Sequence, residues 1–227
     1  MRFGVRCLRQ EIGAVLNITC SMAVSSKSGN TKLVADALRR ELSGAGVRFA
    51  ATFDLVDGAV AESAQSEGVE SAKGAEGDEA AENGQSANAA ASTIATQASE
   101  ADVVFVGFWC DKGACTPSVA ALLSALHGKR VFLFGTCGFG ADQSYYQQII
   151  DRVTSNLAGD AELAGWAMCQ GKMGPAVKQR YEAMLEQDPD NVRFKMLLDN
   201  WVAAKDHPTK EDLDNMAAAA KKAVLGE

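Results

Sequence analysis

The chain of 227 residues lacks any run of about 18 consecutive apolar residues, so nothing in it predicts a membrane-spanning helix. An excess of positive charge is missing as well: the net charge is −7 at pH 7, which argues against a broad nucleic-acid-binding surface. The chain has only 6 cysteines, and their spacing is not that of a small disulfide-stabilised domain. We therefore expect reduced thiols and a cytoplasmic protein.

Large apolar side chains are scarce between about residue 58 and residue 99, where there is no aromatic residue at all. Nine of the 29 acidic residues and one of the 22 Lys and Arg lie between Asp57 and Glu100, so the rest of the chain is nearly neutral. Such a composition cannot bury enough apolar surface to offset its ordering entropy. It predicts a disordered acidic insert, or alternatively a docking tail, and removal of residues 60–98 is expected to leave folding intact.

The first 16 residues do not match a targeting signal. Three arginines, Arg2, Arg6 and Arg9, precede an apolar run, but Glu11 interrupts the basic part and Asn17 the apolar part. We expect residues 1–16 to be an N-terminal extension.

Strand-like and helix-like segments alternate outside the predicted insert. After a first candidate strand, ITCSMAVS, the continuously apolar segments are 47–55, 102–108, 129–136 and 163–169. Each is short and bounded by turn residues, as strands buried on both faces are. Amphipathic helical patterns separate them, with Thr116, Pro117 and Asp142 as start signals. This alternation predicts a doubly wound parallel α/β sheet over residues 17–173. The helical pattern of 174–227, with Pro175, Asp190 and Thr209 as helix starts, predicts an extension packed on that domain.

A polar stretch, SSKSGNT at 25–31, joins the first strand to the first helix. The N-terminus of a helix presents free N–H groups and a positive dipole end to an anion, and Gly29 lets the backbone come close. The stretch lacks the GK[ST] of a nucleoside-triphosphate site and the GxGxxG of a dinucleotide site. It predicts a site for a terminal monophosphate held by neutral donors, with a Ser-rich helix cap as the alternative. The side-chain donors are Ser26, Ser28, Asn30 and Thr31.

Two further loops follow strand ends, GFWCDKGACTP at 107–117 and GTCGFGAD at 135–142. In a sheet of this kind ligands bind at the carboxyl ends of the strands, so both loops belong to the candidate site. Trp109 is placed to stack on a flat ring, or else to pack in the core. Gly113 tolerates a positive φ, and the neighbouring Asp111 and Lys112 would set the local electric field.

The second of these loops offers Gly138 and Gly140 for close backbone approach, with Phe139 as a cover, although a plain turn explains the glycines too. Three thiols, Cys110, Cys115 and Cys137, fall on the two loops. Their spacing lacks a regular fourth ligand, which favours ordinary thiols over a metal site or a redox disulfide. The chain shows no Ser, His and Asp arrangement for nucleophilic catalysis, so we predict neither catalytic residues nor a metal.

The stretch S-x-S-G-N-T at 26–31 is similar to the phosphate loop of flavodoxins, (S/T)-x-T-G-N-T, with Ser28 where Thr is commoner. The segments GFWCDKG, CQGKM and HPTKEDL resemble a branch of flavodoxin-domain proteins that includes the small flavodoxin-like companion of a bacterial bilirubin reductase. The resemblance covers about residues 17–56 and 100–220.

The resemblance implies a flavodoxin-like five-stranded parallel sheet of order 2-1-3-4-5, FMN as the cofactor, and electron transfer to a partner oxidoreductase. Two alternatives stay open: a flavin-dependent reductase of a quinone or a tetrapyrrole, and a non-redox accessory module that binds flavin weakly. The cofactor-binding residues carried over are Ser26, Lys27, Ser28, Gly29, Asn30, Thr31, Trp109, Lys112, Gly113, Thr136, Cys137, Gly138, Phe139 and Gly140.

Overall fold

A computed structural model of the chain describes residues 18–56, 59–62, 80–140 and 143–226. The predicted N-terminal extension at 1–16 and the predicted helix cap Asp142 lie outside these residues. Within them, no helix is both long enough and apolar enough to cross a bilayer.

The fold is built on one sheet with helices on both faces. The strands are β1 Thr19–Val24, β2 Arg48–Val56, β3 Ala59–Glu62, β4 Val103–Trp109, β5 Arg130–Cys137 and β6 Glu162–Gln170. The helices are α1 Asn30–Gly44, α2 Ala80–Gln97, α3 Pro117–Ala125, α4 Gln143–Thr154, α5 Pro175–Gln187, α6 Val192–Ala203 and α7 Lys210–Leu225, with a short 3₁₀ turn at Ala204–Asp206.

The sheet has the order β3-β2-β1-β4-β5-β6. The strand pairs β2-β1, β1-β4, β4-β5 and β5-β6 are all parallel. Counted without β3, these five strands have the predicted order 2-1-3-4-5, which confirms the doubly wound sheet. The short strand β3 adds an antiparallel edge beside β2, which the sequence did not predict. Because strand order reverses between β1 and β4, the carboxyl ends of these strands border the crevice where such folds bind ligands.

One hydrophobic core lies on each face of the sheet. Helices α2, α3 and α4 cover one face, and α1 and α7 cover the other. Helix α7 starts at the predicted Thr209, whose side chain forms a capping box with Asp212. It buries Met216 and Ala220 against the sheet, so it completes the core of the domain.

The prediction of a disordered insert at residues 58–99 is wrong for its last part, where a helix buries residues in the core. Residues 59–62 form β3, and residues 80–97 form α2, which buries Ala91, Ile94 and Ala98 in the core. The physical reason is topological: β2 and β4 are parallel, and parallel strands need a crossover connection, usually a helix. Residues 63–79 of the predicted insert lie outside the described residues.

Helices α5 and α6 differ from the others because neither buries a residue. They pack mainly on each other, next to the carboxyl ends of the strands. Helix α5 begins at the predicted Pro175, and α6 is capped by Asn191, one residue after the predicted Asp190. This helix pair forms one wall of the site described next.

Candidate functional site

A cleft of about 840 Å³ opens at the carboxyl ends of β1, β4 and β5. Its volume lies in the range of small-molecule and cofactor sites. The walls come from the three predicted loops on one side and from α5 and α6 on the other. Of the predicted cofactor-binding residues, those lining the cleft are Lys27, Ser28, Asn30, Trp109, Lys112, Gly113, Thr136, Cys137, Gly138 and Phe139.

The loop after β1 is held in shape by its own hydrogen bonds. The buried Ser25 donates its backbone N–H to the carbonyl of Gly107 at 2.8 Å, and the Oγ of Ser26 accepts the N–H of Lys32 at 3.2 Å. Gly29 adopts φ 83° and is the N-cap of α1, with no side-chain cap hydrogen bond. A Cβ at Gly29 would meet nothing within 4 Å, so the space above the first turn of α1 is open. These features fit an anion at the helix N-terminus.

Two of the side chains predicted to donate to a phosphate instead form hydrogen bonds within the protein. Thr31, fully buried, shares a hydrogen bond of 2.9 Å with the hydroxyl of Thr136. Asn30 donates its side-chain amide to Ser28 Oγ at 3.0 Å and to the carbonyl of Lys172 at 2.9 Å. These side chains fix the loop, and because the N–H of Lys32 is already bonded to Ser26 Oγ, the groups left for a ligand are the backbone N–H groups of Asn30 and Thr31 and the exposed Ser28.

The loop after β4 makes a tight turn. Asp111 and Ala114 exchange two backbone hydrogen bonds of 2.9 Å, with Lys112 at φ 49° and Gly113 at φ 84°. A Cβ at Gly113 would lie 2.6 Å from Nη1 of Arg152, which donates to the Gly113 carbonyl at 3.1 Å. The predicted positive φ at Gly113 is confirmed, and the residue also makes room for a guanidinium group.

Trp109 is half-buried and lies on the cleft wall. It belongs to neither hydrophobic core, which argues against the alternative that it is a core residue. Lys27 Nζ lies over its ring, 4.7 Å from the centre, so a cation from the first loop covers one face of the indole and a flat ring stacked on that face would take its place.

The loop after β5 is packed more tightly than the sequence indicated. A Cβ at Gly138 would come within 2.8 Å of the Met173 side chain, and one at Gly140 would clash with Gln170. Their small size is therefore required by neighbouring side chains of the protein. Gly140 does not line the cleft, and its N–H donates to Asn200 Oδ1 at 2.9 Å.

Two cysteines and a tyrosine meet at the floor of the cleft. Cys110 and Cys137 follow the last register pair of β4 and β5, Trp109 with Thr136. The thiol of Cys110 hydrogen-bonds to Cys137 and lowers the pKa of Cys137 to about 6. The same contact, with burial, raises the pKa of Cys110. The hydroxyl oxygen of Tyr145 lies 3.9 Å from Cys137 Sγ.

Of the cationic side chains around the cleft, only Lys27 and Lys112 were predicted from the sequence. The lining contains Lys27, Lys112, Arg152, Lys172, Arg180 and Arg193, against Asp111 as its acidic residue. No sequence pattern indicates the arginines, because they are distant along the chain and meet only when α4, α5 and α6 fold around the strand ends.

Asn200 ties α6 to the loop after β5. Its Nδ2 donates to the Gly138 carbonyl at 3.0 Å, and its Oδ1 accepts from Gly140 N at 2.9 Å and from Gln170 Nε2 at 3.0 Å. Because α5 and α6 bury no residue, these bonds carry much of the attachment of the helix pair.

Asn200→Ala is therefore expected to speed proteolytic cleavage within α5 and α6 by about a hundredfold, since the three lost hydrogen bonds each lower the local opening free energy by about 1 kcal/mol. The global melting temperature should hardly change. Limited proteolysis with mass spectrometry measures the rate, and the exposed neighbour Asp199→Ala is the matched control. Equal cleavage rates for the two variants would contradict the anchoring role.

The fold and the cleft together define a doubly wound α/β protein with an anion-suited loop, an aromatic wall and a ring of cations at the strand ends. Residues 78–221, more than half of the chain, match the flavodoxin domain family, and the chain belongs to that family. The match includes α2, and it begins after β1 and the loop that follows it. Membership indicates a flavin-binding redox function.

Two relatives share sequence with the chain, and both are flavodoxin-like domain-containing proteins called BilS. The one from Clostridium symbiosum is 42% identical over 120 residues, which are 50% of this chain and 63% of the relative. The chain thus spans less than two thirds of that relative. The one from Clostridioides difficile is 34% identical over 124 residues, 55% of this chain and 70% of the relative. Among solved structures, a flavodoxin from the domain Archaea is 12% identical, with a TM-score of 0.42 over 92% of this chain and 98% of its own.

Proposed function

We propose that the protein binds FMN in the cleft and transfers electrons between a donor and a partner oxidoreductase. The observation that carries the proposal is the N-terminus of α1, where the N-cap is Gly29 and Ser28 is exposed, at the edge of a cleft walled by Trp109. A phosphate would fit the helix N-terminus, and a flat ring would fit against the indole.

The donor set fits a monophosphate. Ser28 is exposed beside the helix N-terminus, and Lys27 and Lys172 stand at the same end of the cleft. The cations around the cleft favour a dianionic phosphate and a reduced, anionic ring. When bound, the isoalloxazine would supply the electron chemistry, and this chain would hold it, shield it from water and set its electric field.

The proposal includes a partner oxidoreductase and a cytoplasmic location. The absence of a catalytic arrangement of side chains in the sequence favours an electron carrier that serves another protein. The described cysteines are free, which supports a reducing, cytoplasmic compartment. The name BilS of both relatives is consistent with service to a partner enzyme.

The test is calorimetric titration of the purified apoprotein with FMN and with riboflavin. We expect FMN to bind at least tenfold more tightly, because charge-assisted hydrogen bonds to the phosphate contribute about 1.5–3 kcal/mol. A visible spectrum of the complex confirms flavin uptake. Equal affinities for the two flavins would overturn the phosphate assignment. If neither flavin bound, the proposal of FMN binding would be overturned.

A second candidate is direct reduction of an organic acceptor, a quinone or a tetrapyrrole. The observation that favours it is the α5 and α6 wall, where Arg180, Tyr181 and Arg193 line the cleft and add cationic and aromatic surface suited to an anionic, conjugated molecule. Multiple turnovers by the FMN-loaded protein alone would support this candidate, whereas reduction only with a partner present supports the first.

A further inference from the structure

Three thiols lie near the cleft, and two of them form a pair. Trp109 in β4 is in register with Thr136 in β5, so the next residues, Cys110 and Cys137, stand side by side at the ends of adjacent strands. The N–H of Cys110 donates to the Thr136 carbonyl at 2.8 Å, which continues the strand pairing to this point. Cys110 packs against the core that contains Cys137, so both side chains lie on the same face of the sheet.

Neighbouring positions on adjacent strands are close enough for a disulfide. Adjacent strands lie about 4.8 Å apart, and a disulfide joins Cα atoms that are about 4.4–6.8 Å apart. Both cysteines line the cleft, and each shifts the pKa of the other. Cys115 is in the same loop as Cys110 but does not line the cleft.

We infer that Cys110 and Cys137 form a redox-active dithiol that closes to a disulfide and passes its two electrons to the flavin in the cleft. On closing, Cys137 reacts as its thiolate, a bond forms between the two Sγ atoms, and two electrons and the one proton of the Cys110 thiol pass to the oxidised ring. The reverse reaction opens the disulfide when the ring is reduced. The electron exchange rests on the proposed FMN binding, whereas closure of the pair does not.

The local chemistry suits this role. Contact with Cys110 holds the pKa of Cys137 below that of a free thiol, so Cys137 is the member of the pair that loses its proton first and can act as the nucleophile. With oxidised glutathione, Cys137 displaces one glutathione and Cys110 then attacks the mixed disulfide, releasing the second. Burial raises the pKa of Cys115 to about 11, which keeps that thiol protonated and unreactive.

The first measurement uses the apoprotein. We expect treatment with oxidised glutathione, followed by alkylation and peptide mapping, to give an intramolecular disulfide between Cys110 and Cys137, with Cys115 alkylated. Cys115→Ser is the matched control and should form the same disulfide, whereas Cys110→Ser should stop at the glutathione adduct of Cys137. No disulfide, or one that contains Cys115, would overturn the inference.

The second measurement uses the oxidised protein loaded with FMN, with flavin content measured by absorbance. Anaerobic reductive titration should consume roughly twice as many electrons per bound flavin in the wild type and in Cys115→Ser as in Cys110→Ser. If FMN binds but all three forms take up the same number of electrons per bound flavin, the electron exchange is overturned and the closure of the pair is not. A protein that binds no FMN overturns that exchange together with the proposed function, while the peptide map still decides whether the pair closes.

Discussion

Replacing Ile94 by Ala is expected to lower the free energy of unfolding by about 2–5 kcal/mol. Ile94 is 1% exposed and lies in the core formed by α2, α3, α4 and the sheet. Its truncation leaves a cavity that the neighbouring helix and strands fill only in part. Because a domain of this size is stable by about 5–15 kcal/mol, the loss is a large part of the total. Urea unfolding followed by circular dichroism measures it.

Gln97→Ala is the control for this change, since Gln97 is exposed on the same helix. It should stay within about 0.5 kcal/mol of the wild type. Removal of residues 80–98 is expected to abolish cooperative unfolding, contrary to the expectation from composition that residues 60–98 are dispensable. If that deletion variant kept the wild-type unfolding midpoint, or if Ile94→Ala matched Gln97→Ala, the assignment of α2 to the core would be wrong.

Local sequence patterns were sufficient to predict the parallel sheet. Continuously apolar segments such as 102–108 and 129–136 are strands buried on both faces, and β4 and β5 occupy nearly those residues. Helix starts were also predicted correctly where a single residue caps the helix, as Thr209 does for α7. These features depend on neighbours in sequence, so the sequence contains the information directly.

Helix α2 was missed because composition was considered without periodicity. Ala91, Ile94, Ala95 and Ala98 recur at the spacing of one helical face, but alanine adds little hydrophobicity and the surrounding residues are polar. The topology was the stronger signal, since the strand at 47–55 and the strand at 102–108 are parallel and a helix has to cross between them.

The candidate site was predicted in its loops but not in its far wall. Lys27, Trp109 and Gly113 follow strand ends, and that position alone places them at the cleft. Arg180 and Arg193 reach the cleft only through the packing of α5 on α6, which involves no buried residue and therefore leaves no apolar pattern to recognise. The pairing of Cys110 with Cys137 likewise depends on strand register, which loop spacing does not reveal.

Trp109→Ala is expected to weaken FMN binding by about tenfold to a hundredfold and to restore flavin fluorescence. A flat ring stacked on an aromatic side chain gains about 1–3 kcal/mol, and stacking on an indole quenches the excited flavin. Trp109 ends β4 on the cleft wall, beside Lys27 and the turn at Lys112 and Gly113, so a ring placed there contacts the indole face. Fluorescence titration of wild type and variant with FMN measures both effects.

Thermal unfolding of the two apoproteins separates stacking from packing. Since Trp109 is half-buried and outside both cores, its truncation should cost the apoprotein far less than the roughly 3–5 kcal/mol of a core tryptophan. Trp166, which packs against the core of α2, α3 and α4, is the opposite control: Trp166→Ala should lower the melting temperature and leave FMN affinity intact in the folded fraction. If Trp109→Ala instead behaved as Trp166→Ala does, with a destabilised apoprotein whose folded fraction binds FMN normally, Trp109 would be a packing residue and the flavin would not stack on it.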